Sequence, residues 1–366
     1  MNRIISFALF LLLAIPAITA EAARKEKAPP VVSPLIDADR NVTFQIKAPN
    51  AGKVSVSSKM SNKPLKLTKN EDGIWSGTLK AVPPGLYGYS LSIDGVKIID
   101  PGNPRSKPMR SPRTSILHLP GDHDYDFKNV PHGTVHYHAY QSKPIDRFRE
   151  LQVYTPPGYE EGTQEYPLLV LQHGHGDCFA TWITHGKAHW TLDNLIAESR
   201  AVPMVVVMLD GHPIPESHGN GRMPENTEEL RKDLIDQVLP MIESTYRIKE
   251  GRKHRAIAGL SMGGMHALTI GFSELETFAS IASFSGAIPE GDTLTETLKD
   301  AENTSAKIDL LWIGCGEDDF LLEENQKLIA DLEKYGINHK WHLTGGAHEW
   351  SVWRQYLSDF APLLFR

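Results

Sequence analysis

Two different patterns of apolar residues divide the chain. Between residues 34 and 120, short segments alternate apolar and polar residues at period two, as in strands with one buried face. These segments are Asn41–Lys47, Lys53–Ser57, Ile74–Leu79 and Tyr87–Ile93, and the last is followed by the hairpin turn signal Asp94-Gly95. Because no helical pattern lies between them, we predict a small immunoglobulin-like β-sandwich over residues 34–120. Its strands should end at the proline-rich segment Pro101–Pro112.

From residue 121 to residue 366 the pattern changes to short, largely apolar runs flanked by turn residues. Such runs are typical of parallel strands buried on both faces. They are Leu168–Gln172, Met204–Leu209, His254–Ala258, Phe278–Ser283 and Ile308–Ile313. Segments 228–246 and 323–335 between them have apolar residues at helical spacing, and residues 132–155 supply antiparallel opening strands. Alternating strands and helices predict an α/β-hydrolase fold, a mostly parallel sheet with helices on both faces.

The N-terminus has the three parts of a secretory signal over residues 1–22. Arg3 gives a positive start, an apolar run follows over Ile4–Ile15, and Ala20-Glu21-Ala22 fits a small-residue cleavage pattern. The apolar run is shorter than the roughly 20 residues that a membrane span needs. Residues 23–33 are predicted to be a linker. We therefore expect an exported protein, secreted or periplasmic, that is not held in a membrane once the signal is removed.

The composition is that of an ordinary globular protein, with 40% hydrophobic and 23% charged residues. The formal net charge of −7 argues against nucleic acid as a partner, because nucleic-acid-binding proteins usually carry a basic stripe. The two cysteines, Cys178 and Cys315, do not make a disulfide framework in a chain of 366 residues. Two unpaired thiols are favoured over one bridge, and the oligomeric state is left open.

The candidate nucleophile is Ser261, in the motif Gly259-Leu-Ser-Met-Gly263. A predicted strand precedes the motif and a predicted helix over 265–272 follows it, which is the context of a nucleophile elbow. At so tight a turn the serine adopts strained backbone angles, and the flanking glycines remove Cβ atoms that would collide. The alternative is a glycine-rich helix start capped by a serine, which the strand and helix together disfavour.

A serine hydroxyl is a poor nucleophile until a base takes its proton. In this fold the acid and then the histidine follow the serine along the chain. His348 lies in a glycine-rich loop after the last predicted strand, where the base is expected. The loop after the preceding strand offers three adjacent carboxylates, Glu317, Asp318 and Asp319. Their chemistry does not choose between them; Asp319 is favoured and Asp318 is second, and the acid would orient and stabilise the imidazolium.

Acyl transfer also needs amide donors for the developing oxyanion. We expect one donor to be the amide of Met262 and the other the amide of His175, in the loop His173-Gly-His-Gly176. Two histidines two residues apart lack a third partner at metal spacing, so neither a metal nor another cofactor is expected.

Three tryptophans are candidates for the wall of the substrate pocket: Trp182, Trp350 and Trp353. Each is equally compatible with packing in the core. The pattern of the sequence does not separate the two roles.

The order of these motifs resembles that of the esterase D-like enzymes of carbohydrate esterase family one, which includes feruloyl and acetylxylan esterases and relatives of enterochelin esterase. The resemblance runs from about residue 133 to the C-terminus. It rests on Val153–Tyr159, His173–Gly176, Asp193–Ala197, Gly259–Gly264, Gly314–Phe320 and His348–Arg354. The family places its catalytic acid at the last residue of G-x-x-D, which implies Asp319 after Gly316. His175 stands where many members have a small residue.

Residues 31–120 resemble a family 48 carbohydrate-binding module. The matching segments are Val42–Phe44, Ala48-Pro49, Asp72–Trp75, Pro84–Tyr87, Asp94-Gly95 and Asp100–Asn103. Trp75 and the tyrosines Tyr87 and Tyr89 would form either a sugar-stacking face or part of the core of the sandwich.

Together these resemblances imply a serine carboxylester hydrolase without a cofactor. It would remove feruloyl or acetyl groups from a xylan-type polysaccharide or oligosaccharide through an acyl-enzyme on Ser261. Two alternatives keep the same catalytic residues: hydrolysis of a siderophore ester and acyl transfer to a sugar. A further alternative, a non-catalytic carbohydrate-binding protein, is disfavoured by the presence of all three catalytic candidates.

Overall fold

The computed structural model describes residues 31–214, 224–289 and 292–366. The predicted signal segment over residues 1–22 lies outside the described residues, and so does the predicted linker as far as residue 30. The described residues form two units, an N-terminal one built of strands and a C-terminal one built of alternating strands and helices.

Residues 35–119 form two antiparallel sheets that we call the N-terminal sandwich. Its strands are β1 (Leu35–Ile36), β2 (Val42–Lys47), β3 (Val54–Ser58), β4 (Leu65–Lys66), β5 (Thr68–Lys69), β6 (Ile74–Leu79), β7 (Gly85–Ile93), β8 (Val96–Ile98) and β9 (Ser115–Leu119). One sheet has the order β1-β2-β6-β5, and the other has the order β4-β3-β7-β8 with β9 also paired to β7. The predicted alternating segments are thus strands, and short strands that carry no clear alternation complete the sheets.

The two sheets share one apolar core. Alternate residues of β2 point into it, with Val42 and Phe44 fully buried. Trp75 and Tyr89 belong to the same core, so these two residues take the packing role and do not form a sugar-stacking face. The prediction that the strands end at the proline-rich segment is wrong, because the chain returns after that segment and β9 pairs with β7.

Residues 134–366 form the C-terminal unit around one eight-stranded sheet. Its strands are β10 (Thr134–Ser142), β11 (Arg147–Thr155), β12 (Leu168–Gln172), β13 (Val205–Leu209), β14 (Arg255–Leu260), β15 (Ser280–Phe284), β16 (Leu310–Gly316) and β17 (Lys340–Thr344). The spatial order is β10-β11-β13-β12-β14-β15-β16-β17. Strands β10 and β11 are antiparallel, β11 and β13 are antiparallel, and all the remaining pairs are parallel. The predicted α/β-hydrolase architecture is confirmed.

Helices cover both faces of this sheet. They are α1 (Ala188–Ala197), α2 (Pro224–Lys232), α3 (Leu239–Thr245), α4 (Met262–Ser273), α5 (Asp292–Lys299), α6 (Ala301–Lys307), α7 (Leu322–Tyr335) and α8 (Trp350–Phe360), with π-helical segments at Trp182–Gly186 and Asp233–Val238 and 3₁₀ turns at Arg252–His254 and Ala361–Leu363. Helices α2, α3, α4 and α7 contribute to the core on one face, and α1 and α8 contribute to the core on the other. Every residue of β12, β13 and β15 is buried, as the apolar runs predicted. Within the described parts of the chain, none of the helices combines the length and the apolar character needed to cross a bilayer.

The parallel strands end at one edge of the sheet, and the loops that leave them meet there. The loop after β12 begins at His173, the turn after β14 holds Ser261, the loop after β16 holds Asp319, and the loop after β17 holds His348. Four positions that are far apart in the sequence therefore come together at the carboxyl edge.

Candidate active site

The candidate nucleophile stands on a tight turn between β14 and α4. Ser261 has φ 54° and ψ −118°, a combination that a residue other than glycine rarely adopts. Its amide donates to the backbone oxygen of Phe284 at 2.9 Å, which ties the turn to the end of the neighbouring strand β15. The turn presents the serine hydroxyl at the carboxyl edge of the sheet.

The glycines of the motif are required by close backbone approach. A Cβ atom at Gly259 would lie 2.2 Å from the backbone oxygen of Gly263. A Cβ atom at Gly263 would lie 2.4 Å from the backbone oxygen of His173 and 2.7 Å from that of Gln172. The turn closes because neither residue carries a side chain.

Three side chains form a hydrogen-bonded relay at this edge. The Oγ of Ser261 lies 2.8 Å from Nε2 of His348, so the hydroxyl donates to an unprotonated ring nitrogen. On the other side of the ring, Nδ1 of His348 lies 3.0 Å from Oδ1 and 2.9 Å from Oδ2 of Asp319. The structure therefore brings together all three residues that the sequence proposed as nucleophile, base and acid.

The geometry separates the three adjacent carboxylates that the chemistry of the sequence left open. The side chain of Asp319 is buried and faces His348, whereas Glu317 and Asp318 are exposed. Burial by itself would raise the pKa of Asp319, but hydrogen bonds from His348 and from the amide of Leu321 outweigh burial and lower it. The Asp319 carboxylate is therefore charged at neutral pH and can stabilise an imidazolium.

Two aromatic rings flank the imidazole of His348. The ring of Trp353 meets it edge-on with centroids 4.9 Å apart, and the ring of Phe320 lies 4.4 Å away on another side. Trp353 is buried, whereas Phe320 is exposed. The imidazole of the base thus packs between one buried and one exposed aromatic side chain. Sequence reasoning missed Phe320, which follows the acid directly.

The two predicted oxyanion donors lie in suitable backbone settings. Met262 is the first residue of α4, so its amide has no acceptor within the helix. His175 lies inside a turn in which the amide of Asp177 donates to the backbone oxygen of Gly174 at 3.1 Å. A Cβ atom built at Gly174 would be 3.4 Å from the Cβ of Ser261, so this turn passes directly beside the nucleophile.

The imidazole of His173 is buried beneath that turn. Its Nδ1 donates to the backbone oxygen of Gly174 at 2.9 Å, and its Nε2 accepts from the amide of Gly211 at 2.8 Å. Both ring nitrogens therefore have a backbone partner. His173 ties the turn to the loop after β13.

A cavity of about 700 Å³ opens over Ser261 and His348, and residues of both units line it. The C-terminal unit contributes Trp350 and Trp353, as predicted for two of the three tryptophans. The prediction for Trp182 is wrong, because this ring is fully buried behind Trp350 and donates from Nε1 to the backbone oxygen of Gln172 at 2.9 Å. Trp182 belongs to the core and does not belong to the wall of the cavity.

Further residues of the wall come from outside the C-terminal unit or bridge the two units; sequence reasoning named only Tyr87 among them, as a candidate for a sugar-stacking face, and did not place it at this cavity. Tyr87, on β7, and Lys107 come from the N-terminal sandwich, and Tyr125 comes from the connection between the two units. Arg354, on α8, bridges the units, since it donates to the backbone oxygens of Leu86 at 3.0 Å and of His185 at 3.2 Å. For Tyr87 the signal in the sequence was a tyrosine on an alternating strand. This pattern does not show what the outward face of the strand contacts.

The described residues contain no cluster of histidine, cysteine, aspartate or glutamate that would hold a metal ion. Cys178 and Cys315 are both free, in agreement with the favoured expectation of unpaired thiols. Burial raises the pKa of both thiols, that of Cys315 to about 12, so both stay protonated near neutral pH. Neither cysteine competes with Ser261 as a nucleophile.

The chain is similar in sequence to a known protein family. A family model described as putative esterase matches residues 142–364, which is most of the C-terminal unit. A similar curated protein is an endo-1,4-beta-xylanase/feruloyl esterase from Xylanibacter ruminicola, 32% identical over 350 residues. The match covers 91% of this chain but 46% of that protein, so the chain spans less than half the length of this relative.

Two solved structures share the fold. A ferulic acid esterase from Anaeromyces mucronatus, solved in complex with ferulic acid, superposes with a TM-score of 0.59 at 23% identity, covering 67% of this chain and 96% of that one. The enterobactin esterase of Shigella flexneri superposes with a TM-score of 0.67 at 21% identity, covering 88% of this chain and 94% of that one. The second likeness extends over the N-terminal sandwich as well as the C-terminal unit, because residues 134–366 alone are too few to account for it.

Proposed function

This chain belongs to the putative esterase family, and on that premise we propose that it is a serine ester hydrolase that removes acyl groups from a xylan-type polysaccharide. The single observation that carries the proposal is the relay from Asp319 through His348 to Ser261, with both bonds of the imidazole made. The similarity to a protein named as a xylanase/feruloyl esterase supports the choice of substrate class.

In the first half of the proposed reaction, Oγ of Ser261 attacks the ester carbonyl carbon. Nε2 of His348 takes the hydroxyl proton, and the carboxylate of Asp319 stabilises the imidazolium that forms. The amides of Met262 and His175 would donate to the oxyanion of the tetrahedral intermediate. Its collapse breaks the ester C–O bond, the imidazolium gives its proton to the leaving alcohol, and an acyl-enzyme remains.

In the second half, water replaces the alcohol. His348 takes a proton from the water as it attacks the acyl carbon, the same two amides hold the oxyanion, and the carboxylic acid leaves as Ser261 recovers its proton. No step calls for a metal or for an electron carrier. The two halves use the same donors, so a change in the oxyanion site slows both.

The residues that line the cavity suit a substrate in which the acyl group is attached to a glycan. Aromatic side chains at the site, among them Trp350 from the C-terminal unit and Tyr87 from the N-terminal sandwich, suit a planar acyl group or the face of a sugar. Because residues of both units line this one cavity, the N-terminal sandwich would contact the glycan next to the scissile ester. If the N-terminal sandwich binds sugar as a family 48 carbohydrate-binding module does, it would bind it at this cavity, because Trp75 is buried in the core.

A siderophore ester is the second candidate, favoured by the fold similarity to an enterobactin esterase over both units. A direct comparison of substrates separates the candidates. We expect the purified protein to hydrolyse methyl ferulate or acetylated xylan with a higher kcat/KM than a catecholate siderophore ester, with Ser261→Ala as the inactive control. Preference for the siderophore would reverse the assignment, and formation of an acylated sugar instead of free acid would indicate an acyltransferase.

Absence of ester turnover with all these substrates would favour the non-catalytic alternative. Pull-down on insoluble xylan then measures binding directly, with Tyr87→Ala as the variant at the cavity.

Export to the periplasm or the medium is part of the proposal and rests on residues 1–22. Fractionation of cells that express the full chain tests it.

A further inference from the structure

A segment of the N-terminal sandwich crosses over to the C-terminal unit and returns. Residues 107–113, which we call the strap, leave after β8 and come back into β9. The two ends of the strap are paired like a hairpin, because Lys107 donates its amide to the backbone oxygen of Thr114 at 2.8 Å and Ile116 donates to that of Arg105 at 2.9 Å. The strap is therefore anchored on the strand β9, which pairs with β7.

The first contact of the strap with the C-terminal unit is a buried ion pair. Nζ of Lys107 lies 2.6 Å from Oδ1 of Asp177, and the side chains are 12% and 5% exposed. Burial raises the pKa of Asp177, whereas the charge of Lys107 lowers it. An aspartate so deeply buried needs this cation to stay ionised in place.

Two further contacts involve the backbone of the strap. The amide of Arg110 donates to the backbone oxygen of Gly176 at 3.1 Å, and the hydroxyl of Thr181 donates to the backbone oxygen of Pro108 at 2.8 Å. Lys107, Pro108 and Arg110 thus hold the segment from Gly176 to Thr181, which begins in the turn beside the nucleophile.

The same turn carries the second candidate oxyanion donor. The backbone oxygen of Gly174 accepts from the amide of Asp177 at 3.1 Å and from Nδ1 of His173 at 2.9 Å. In a trans peptide the N–H points opposite to the C=O, so these two bonds also fix the direction of the His175 amide. Gly176 has φ +82°, as a tight turn at this position requires. The positions of Gly176 and Asp177 therefore control where the donor points.

We propose that the strap positions the turn from Gly174 to Asp177, which we call the oxyanion loop, and that Lys107 is the main positioning residue. The N-terminal sandwich is then needed for turnover of every ester, including esters too small to contact it. The proposal rests on the proposed function. It differs from a role in binding polysaccharide, which would change KM for large substrates and leave turnover of small ones intact.

The test uses the full chain and p-nitrophenyl acetate. Lys107→Met should lower kcat by roughly 10- to 100-fold, less than the about 100- to 1000-fold that follows complete loss of a donor. KM should stay within about twofold, because both halves of the reaction slow together. Lys107→Arg keeps the charge opposite Asp177 and should recover most of the lost kcat.

Two matched variants complete the design. Thr181→Val removes the hydroxyl that holds Pro108 without touching the cavity, and should lower kcat about 3- to 10-fold with KM unchanged. Lys128→Met removes another lysine ion pair, with Glu198 at 3.3 Å; neither residue lines the cavity, so kcat should stay unchanged. Thermal unfolding verifies that each variant is folded, and if Lys107→Met does not fold, Thr181→Val decides.

The outcomes separate the two proposals. If Ser261→Ala is inactive while folded Lys107→Met and Thr181→Val turn over within about twofold of the wild-type rate, the positioning role is wrong and the esterase assignment stands. A rise in KM with unchanged kcat would likewise overturn the positioning role. If Ser261→Ala retains the wild-type rate, the proposed function itself fails.

Discussion

The ring of Trp182 packs edge-on against the ring of Trp350, with centroids 5.0 Å apart, so that one tryptophan supports the other from behind. Trp350 lines the cavity, whereas Trp182 is fully buried and bonded to the backbone of Gln172. The wall of the candidate site is therefore two residues thick at this point. Substitutions at the two positions should have different consequences.

Trp182→Phe should lower the free energy of unfolding and leave KM unchanged. It removes the Nε1 donor to Gln172 and leaves a void in the core, at a cost of about 1–3 kcal/mol. Urea unfolding and steady-state kinetics with methyl ferulate measure the two effects. A several-fold rise in KM with unchanged stability would return Trp182 to the wall of the cavity.

Trp350→Phe should raise KM for methyl ferulate by about 3- to 10-fold, because it removes apolar surface that the acyl group would cover. The change in KM for p-nitrophenyl acetate should be smaller, since an acetyl group covers less of the wall. Equal changes for both esters would contradict contact between Trp350 and the acyl group.

Asp319→Asn should lower kcat by about 10⁴-fold, as expected when the histidine loses the carboxylate that fixes its tautomer. Asp318→Asn is the matched control, because it removes a neighbouring carboxylate that is exposed and does not face His348. The control should keep kcat within about twofold of the wild type. Steady-state rates with p-nitrophenyl acetate compare the two. A loss confined to Asp318→Asn would reassign the acid.

Gly263→Ala should destabilise the protein by about 1–3 kcal/mol or more, because its Cβ would meet the backbone oxygen of His173. Relief of that contact moves the loop beneath the oxyanion donors, so kcat should fall as well. Gly345→Ala is a fitting control, since nothing lies within 4 Å of a Cβ at that position. Thermal unfolding and kcat are measured together. If both variants behave alike, close approach at Gly263 is not what requires glycine.

Stability should rise with pH between about 8 and 10 through Lys187. Burial, with the charges of Arg105 and Arg354, lowers the pKa of Lys187 to about 8. An unfolded lysine titrates near 10.4, so in this window the unfolded chain binds more protons than the folded chain and folding gains as pH increases. Lys187→Met should therefore reduce the increase in the free energy of unfolding between pH 8 and pH 10, measured by urea unfolding. Equal increases in both proteins would contradict a lowered pKa.

The elements that sequence reasoning located are those set by local pattern. The elbow around Ser261 depends on residues within two positions, and the apolar runs specify parallel strands whose carboxyl ends must share an edge. The choice of Asp319 over Asp318 was less accessible, because it depends on which carboxylate the turn after Gly316 directs inward; the amide of Asp319 bonds to the backbone oxygen of Gly316 at 3.1 Å.

What escaped prediction depends on how the two units dock. Nothing in the alternation of β7 shows that Tyr87 faces a cavity, and nothing in a proline-rich segment shows that Lys107 reaches Asp177. The roles of Trp182 and Trp350 could not be separated because both lie in apolar surroundings. The boundary between the units at residue 120 stays a prediction, supported by the end of β9 at Leu119 and the start of β10 at Thr134.

The most direct test of the central claim is mass analysis of the protein during turnover. When hydrolysis of p-nitrophenyl acetate is stopped with acid, we predict one acetyl group on the wild-type chain, located by peptide mapping on Ser261. Ser261→Ala should carry none and should be inactive. An acetyl group on a different residue, or an unmodified Ser261→Ala chain that turns over as fast as the wild type, would contradict the account.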